Sequence, residues 1–468
     1  MIQRIICAIL SFFQIAAFNV VSIGKTRTVG VNKYVSYRQF EGFGTSSAWW
    51  SQTIDDEETA RKIAKLLYDK EEGLGLDIYR FNIGGGEADN PDCRIWDRTR
   101  RTESFYYLNE DSQKWEFDFS RDSNAVRMMK LAVEYGASEV ILFCNSPHYS
   151  MTVSGHASGG LQENVNNLPE ENYDKFVDYV LTIADHFVSE GIPVKAVSPI
   201  NEPQWKWGGD WVGQEGCHYD ADKCIALLER FAVKMKERGC TYQLRGPESG
   251  QLTEEYYEYI DKFFESDILN DYCEYYAGHS YWMDNNYGGK YAVGEKFATQ
   301  YPDKKLEMSE WCELPLKIDS KTIDSGIYMA NIIIQDLSLM NAVSWSSWTS
   351  VNGDGLMELI DGSLVIFNRY YAYMHFSKFI NPGASRIELR DSIDNKDIEH
   401  IAFKDGNRTV IVLVNNSEND TFLNLTGCSG NYEIYLTDKD HNCEKTSGGY
   451  LLTNITMPAR SIETVVIN

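Results

Sequence analysis

The chain has 468 residues, 43% of them hydrophobic and 13% aromatic, which supports one large domain and a smaller companion. Charged residues are well mixed, so the composition excludes a disordered chain. A formal net charge of −25 sets the protein against nucleic acid and anionic membrane surfaces and favours a neutral ligand.

The first element in chain order is Arg4 followed by a mostly apolar run over 5–18 that contains Gln14. It reads as a secretory signal peptide over 1–22, too short for a membrane span. A secreted or periplasmic protein without membrane insertion is therefore expected. Residues 23–39 hold a predicted strand over 26–37. Eight apolar, β-branched or aromatic runs follow, at 40–49, 76–84, 139–146, 194–200, 242–247, 275–281, 305–309 and 342–348. Between them lie amphipathic helical patterns such as 57–70, 172–189, 220–237, 253–264 and 324–340. Eight strand–helix alternations predict an α/β fold, a (β/α)₈ TIM barrel over 40–382. After Asn381-Pro382-Gly383 the pattern turns to short alternating strands at 398–403, 409–414, 421–425, 432–436 and 462–467. This predicts a β-sandwich over 383–468, to which 26–37 could add a strand.

Ten cysteines are present, and none forms a C-x-x-C pair. Without Cys7 in the leader, nine remain, so at least one thiol is free or pairs between chains. Cys428 and Cys443 flank a predicted hairpin and could bond each other. Sequons stand at Asn407, Asn415, Asn419, Asn424 and Asn454.

Barrel active sites lie at the C-terminal ends of the strands, so the polar residues ending each run are the candidates. The fourth run ends in Asn201-Glu202-Pro203 and the seventh in Ser309-Glu310-Trp311. Two glutamates at one mouth suit glycoside cleavage, one protonating the leaving oxygen and one attacking the anomeric carbon. Asn201 either reaches a sugar hydroxyl or caps a turn. Arg80 either keeps a neighbouring carboxylate ionised or forms a structural ion pair. His279 and Tyr281 end the sixth run, and His279 either meets Glu310 or the substrate or is a satisfied structural histidine. Nine of the eleven tryptophans fall at or just after strand ends: Trp49, Trp50, Trp205, Trp207, Trp211, Trp282, Trp311, Trp345 and Trp348. Flat indoles there suit sugar faces, and Trp49, Trp205, Trp311 and above all Trp348 are the candidate platforms. Histidines show no metal-ligand spacing, so neither metal nor cofactor is expected. Gly84-Gly85-Gly86 reads as a tight barrel turn rather than a dinucleotide loop.

Several strings together resemble glycoside hydrolase family 30: Gly42-Phe43-Gly44-Thr45-Ser46 with Trp49-Trp50, Arg80 to Gly85, Asn145-Ser146-Pro147 with Met151-Thr152 and Gly155, Asn201-Glu202-Pro203, and Ser309-Glu310. The resemblance spans the whole barrel. It implies a retaining enzyme with Glu202 as acid/base, Glu310 as nucleophile, and a side β-domain built from both chain ends. The strings at 42–50 and 145–155 look most like the endo-β-1,6-galactanase branch. Ser150 departs from it, standing where a second aromatic beside Tyr149 is expected. The resulting expectation is a monomer that cleaves a neutral β-linked polysaccharide, first β-1,6-galactan. Xylanase, β-1,6-glucanase, exo-acting β-xylosidase or glucosylceramidase, and a non-catalytic carbohydrate-binding protein are the alternatives.

Overall fold

The computed structural model describes residues 27–210, 212–452 and 454–468. The leader reading over 1–22, Cys7 and Trp211 lie outside them. Parallel strands Gly42–Ser46, Ile78–Asn82, Glu139–Phe143, Val194–Ser198, Tyr275–His279, Lys305–Trp311 and Ser344–Ser347 make seven staves of a barrel. The fifth stave is in two pieces. Gln243–Leu244 pairs with the fourth strand and Pro247–Ser249 with the sixth. Arg245 and Gly246 separate the pieces, and the second opens on Pro247, which has no amide hydrogen to give to a ladder. Pairing of Ser344 with Gly42 closes the ring. Six of the eight predicted runs contain their whole strand; the seventh strand continues past 309 to Trp311, and the second piece of the fifth, Pro247–Ser249, continues past 247. The runs overshoot mainly at their C-terminal ends, where the chain leaves the ladder and enters the loops of the mouth.

The staves read as nearly continuous apolar runs because helices cover one face and the barrel interior the other. Helices Glu57–Tyr68, Tyr173–Ser189, Ala221–Arg238 and Ile323–Ser338 bury the apolar stripe that their spacing announced. Two small hairpins were not anticipated, Tyr106–Asn109 with Lys114–Phe117 and Met357–Ile360 with Ser363–Ile366. They stand in the long loops after the second and eighth strands. No helix among the described residues is long and apolar enough to cross a membrane.

A second sheet of nine strands forms the side domain. Arg27–Gln39 lies inside it, antiparallel to Ser385–Asp391 and parallel to Thr421–Thr426. Along Arg408–Asn415, Val410, Val412 and Val414 join the barrel-side core, while Ile411 and Leu413 join the sandwich's own core with Val29, Leu423 and Val465. Both faces are covered, which is why this strand is apolar at successive positions. Ser385–Asp391, Asn442–Tyr450 and Asn454–Met457 were missed, and Asn442–Tyr450 is a largely exposed edge strand without an apolar signature. The proposed Cys428–Cys443 bond does not form. Cys428 packs on the sandwich core and Cys443 on the barrel-side core, and all nine described cysteines are free.

His375, on helix Asn368–Ser377, joins the two domains from a fully buried position. Thr464 donates its hydroxyl to the His375 carbonyl, so Nδ1 carries the proton toward Thr464 (2.8 Å) and Nε2 accepts from Thr437 (2.8 Å). Burial pushes His375 down to about 3 from an ordinary 6.5. Between those values the unfolded chain binds a proton that the folded chain refuses, so stability falls as pH drops through that window. His375→Gln should lower stability by about 1–3 kcal/mol at neutral pH. It should also flatten the acid limb of urea midpoint against pH by about one proton. An unchanged limb would show that His375 is not held neutral.

Candidate active site

The fourth strand delivers Asn201 and Glu202, and the fifth delivers Glu248 beside them. Both glutamates sit in the left-handed backbone region, with φ of 47° and 53°. A residue with a Cβ adopts that region only at a cost of about 1–2 kcal/mol. Glu202 is held there from several sides. Its N–H donates to the Glu248 carbonyl (2.9 Å), and its own carbonyl accepts from the Trp205 N–H (3.0 Å) and the Trp207 indole (2.9 Å). Strain fixed by surrounding bonds in this way clusters at working sites.

Glu310 rises from the seventh strand. Arg80, fully buried on the second strand, donates to Glu310 Oε2 (3.0 Å) and to Glu248 Oε2 (2.8 Å), with its guanidinium over the Phe143 ring. Ser309 also donates to Glu248 (2.7 Å). His279, fully buried, bonds Glu248 through Nε2 (3.0 Å) and Glu202 Oε1 through Nδ1 (3.2 Å), and lies 3.6 Å from Glu310. Burial alone would lower its pKa, but Glu310, Glu202 and Glu248 around it push it up to about 10. Burial pushes the Glu310 carboxyl upward against the pull of His279 and Arg80. For Glu248 the balance reverses. Burial would raise it, yet Arg80 and His279 hold it well below the ordinary carboxylate range. Tyr281 donates to Glu310 Oε1 (3.0 Å), and burial keeps its phenol protonated.

These groups floor a cleft of about 260 Å³ lined by Asn201, Glu202, Tyr281, Glu310, Trp205 and Trp348 among others. Asn201 is held by a relay of amides, donating to Asn145, which donates to Asn82 (both 3.1 Å). Its buried Oδ1 has no partner among the described residues. Trp205 and Trp282 stack in parallel, 4.9 Å apart at 4°, and remain partly exposed at one rim. Trp348 meets Trp49 edge-on at 5.2 Å. Trp49 lines a neighbouring cavity rather than the cleft.

Arg80 and His279 lie beneath the cleft and bind carboxylates, not its lumen. Trp311 is outside it altogether. Successive strand residues point to opposite faces, so with Glu310 inward Trp311 points into the helix layer, where its indole donates to Asp284 (3.0 Å). Ser150 does not line the cleft either. Its hydroxyl bonds His148 (2.9 Å). Sequence reasoning missed Glu248, although it directly follows the fifth run and meets the same strand-end criterion. It also missed Arg100, Gln214 and Asp354, which loops bring to the cleft. Glu202, His279 and Glu310 place three ligand atoms within 4.8 Å, the arrangement a cation would need. Both histidine nitrogens are already engaged with carboxylates, so a cation there would have to displace the imidazolium.

Residues 26–358 match the model of O-glycosyl hydrolase family 30, and 383–465 match the family 30 β-sandwich domain. The chain belongs to glycoside hydrolase family 30. It is an O-glycosyl hydrolase, and its substrate is a carbohydrate. Within the family it is 24% identical over 346 residues to an endo-β-1,6-galactanase of Hypocrea rufa, covering 70% of this chain and 68% of that one. It is 29% identical over 224 residues to an exo-β-1,6-galactobiohydrolase of Bifidobacterium longum subsp. longum, covering 36% of this chain and 15% of that one. A crystal structure of a conserved exported protein from Bacteroides fragilis superposes with a TM-score of 0.86 at 24% identity, over 94% of this chain and all of that one.

Two substitutions probe the array. A Cβ at Gly250 would lie 2.6 Å from Glu202 Oε1. Gly250→Ala should therefore cut kcat by about 10- to 100-fold with little loss of thermal stability. Full activity would show that the position of Glu202 is not critical. Glu248→Gln removes one of the charges that hold His279 protonated. The alkaline limb of kcat/KM should move about one pH unit toward neutrality, and an unmoved limb would count against that coupling.

Proposed function

We propose that the protein is a retaining endo-β-1,6-galactanase that works by double displacement, with Glu202 as acid/base and Glu310 as nucleophile. The observation that carries this reading is the spacing of the two carboxyls, which place oxygens within 4.8 Å of each other. Retaining enzymes hold the pair at about 5–5.5 Å and inverting ones at about 6.5–9.5 Å, leaving room for a water.

The charge count supports the same roles. Glu202, Glu248 and Glu310 face two cations, Arg80 and protonated His279, so one proton on a carboxyl balances the array. Arg80 and His279 hold Glu248 ionised. Arg80 and Tyr281 hold the Glu310 oxygens as acceptors aimed at the cleft. Glu202 is the partly exposed member, and its side chain keeps 13% of its accessible surface. As the most accessible of the three, it is the one assigned the acid role. In the first step Glu310 attacks the anomeric carbon, Glu202 passes its proton to the leaving oxygen, and a glycosyl-enzyme ester forms. Glu202, now a base, takes a proton from water, which attacks the same carbon and frees Glu310. The free Oδ1 of Asn201 accepts from a hydroxyl of the bound sugar, and Trp348 packs on its ring.

The substrate reading rests on the two β-1,6-galactan-active relatives and on a cleft with tryptophans at opposite ends. A relative named as glucuronoxylanase, from Bacillus subtilis, at 24% identity over 376 residues, makes xylan the second reading. The protein acts outside the cytoplasm, as the leader over 1–22 and the exported structural neighbour suggest. Purified protein should release mixed oligomers from β-1,6-galactan, with the anomeric configuration of the products retained by NMR. Products from xylan alone would transfer the reading to xylanase, and single sugars would make the enzyme exo-acting. Glu310→Gln should lower turnover by about 10⁴-fold or more, while glycan binding persists.

A further inference from the structure

The loops after the first, second and eighth strands enclose a second cavity, of about 300 Å³, lined by Trp49, Trp50, Asp97, Thr99, Arg100 and Asn352 among others. Arg100 lines this cavity and the catalytic cleft alike. Its guanidinium lies 4.9 Å from the Trp49 ring centroid, meets Asp97 at 3.4 Å and donates to Gln214 in the cleft at 3.1 Å. At Arg100 the partition is one side chain thick. Trp348 faces the cleft, Trp49 faces the second cavity, and the two indoles touch edge to face. Trp49 also holds a buried indole N–H with no acceptor among the described residues, which is costly to leave unpaired.

We propose that this cavity is a saccharide-binding pocket continuing the cleft, and that Arg100 contacts two successive sugar units of one substrate. The inference rests on the glycosidase reading above. Asp97 and Arg100 neutralise each other, so the pocket offers no free charge for a phosphate or a uronate. Indoles, hydroxyls and an amide remain, and these suit a neutral hydroxylated ring. Direction follows from the barrel. The proton donor Glu202 and the Trp205–Trp282 stack stand on loops after the fourth and sixth strands, across the mouth from the pocket. The leaving portion of the substrate must lie at the proton donor, so the pocket takes a unit of the portion retained on Glu310.

Thr53 and Asn352 line the pocket and not the cleft, and Phe at either position would fill it. The experiment compares kcat/KM on a ladder of β-1,6-galacto-oligosaccharides with that on an aryl β-galactoside, for the wild type, Thr53→Phe, Asn352→Phe and Arg100→Ala. If the wild type cleaves a different polysaccharide, oligomers of that polymer replace the ladder. The long-to-short ratio should fall at least about tenfold in all three variants. A wild-type ratio in the two Phe variants, with thermal midpoints showing both folded, overturns the pocket. If neither Phe variant folds, Arg100→Ala with binding of the ladder to Glu310→Gln decides. An unchanged ratio together with an affinity that does not rise beyond the shortest oligomers overturns it. A wild type inactive on every β-linked glycan would instead sink the glycosidase reading.

Discussion

Three carboxyl groups share two cations and one proton at the base of the mouth, and none of the five groups can be understood alone. An isolated charge buried this deeply would neutralise itself by shifting its pKa. Arg80 and His279 are each bound by two of the carboxylates, so every charge has a partner and the array stays ionised without water. Glu248 is the keystone. It reaches no substrate-facing surface, yet Arg80, His279 and Ser309 all point at one of its oxygens. Through them it fixes the orientation of Glu310 and Glu202, and its backbone carbonyl accepts from the Glu202 amide. The left-handed conformations of both residues are the price of that convergence.

Much of this was legible in the sequence. All eight barrel runs fall on their staves and six contain the strand whole, because a stave buried on both faces is a long apolar run that competes with little else. Asn201, Glu202 and Glu310 stood out because strand ends are where polar residues interrupt such runs. Glu248 obeys the same rule but was overlooked, since the fifth stave is interrupted at Arg245 and Gly246 and its second half holds only three residues. Trp311 shows the opposite failure. Position along the chain placed it at the mouth, but the two-residue alternation of a strand turned it away once Glu310 faced in. The loop residues Arg100, Gln214 and Asp354 carry no periodicity, and their convergence on the cleft exists only in three dimensions.

The side domain shows what alternation can and cannot reveal. Strands with one face on the barrel and one in the sandwich were visible as apolar runs. Asn442–Tyr450 was not, because its side chains are largely exposed and its polar sequence resembles a loop. The cysteine pair failed for a related reason. Proximity along a hairpin says nothing about which side of the sheet each thiol faces, and here they face different cores.

Strand Arg27–Gln39 lies in the interior of the side sheet, between segments that follow it by about 350 residues or more. During synthesis it leaves the ribosome before any partner strand exists. Its apolar face must wait while the whole barrel is made, so the most non-local pairing in the molecule closes last. The barrel and the sandwich are therefore not two separable modules joined by a linker. A chain cut after the barrel would retain an orphan strand with open edges, together with a wide apolar face where Val410, Val412, Val414 and Ile462 now pack. The two domains function as one folding unit whose ends are stitched together.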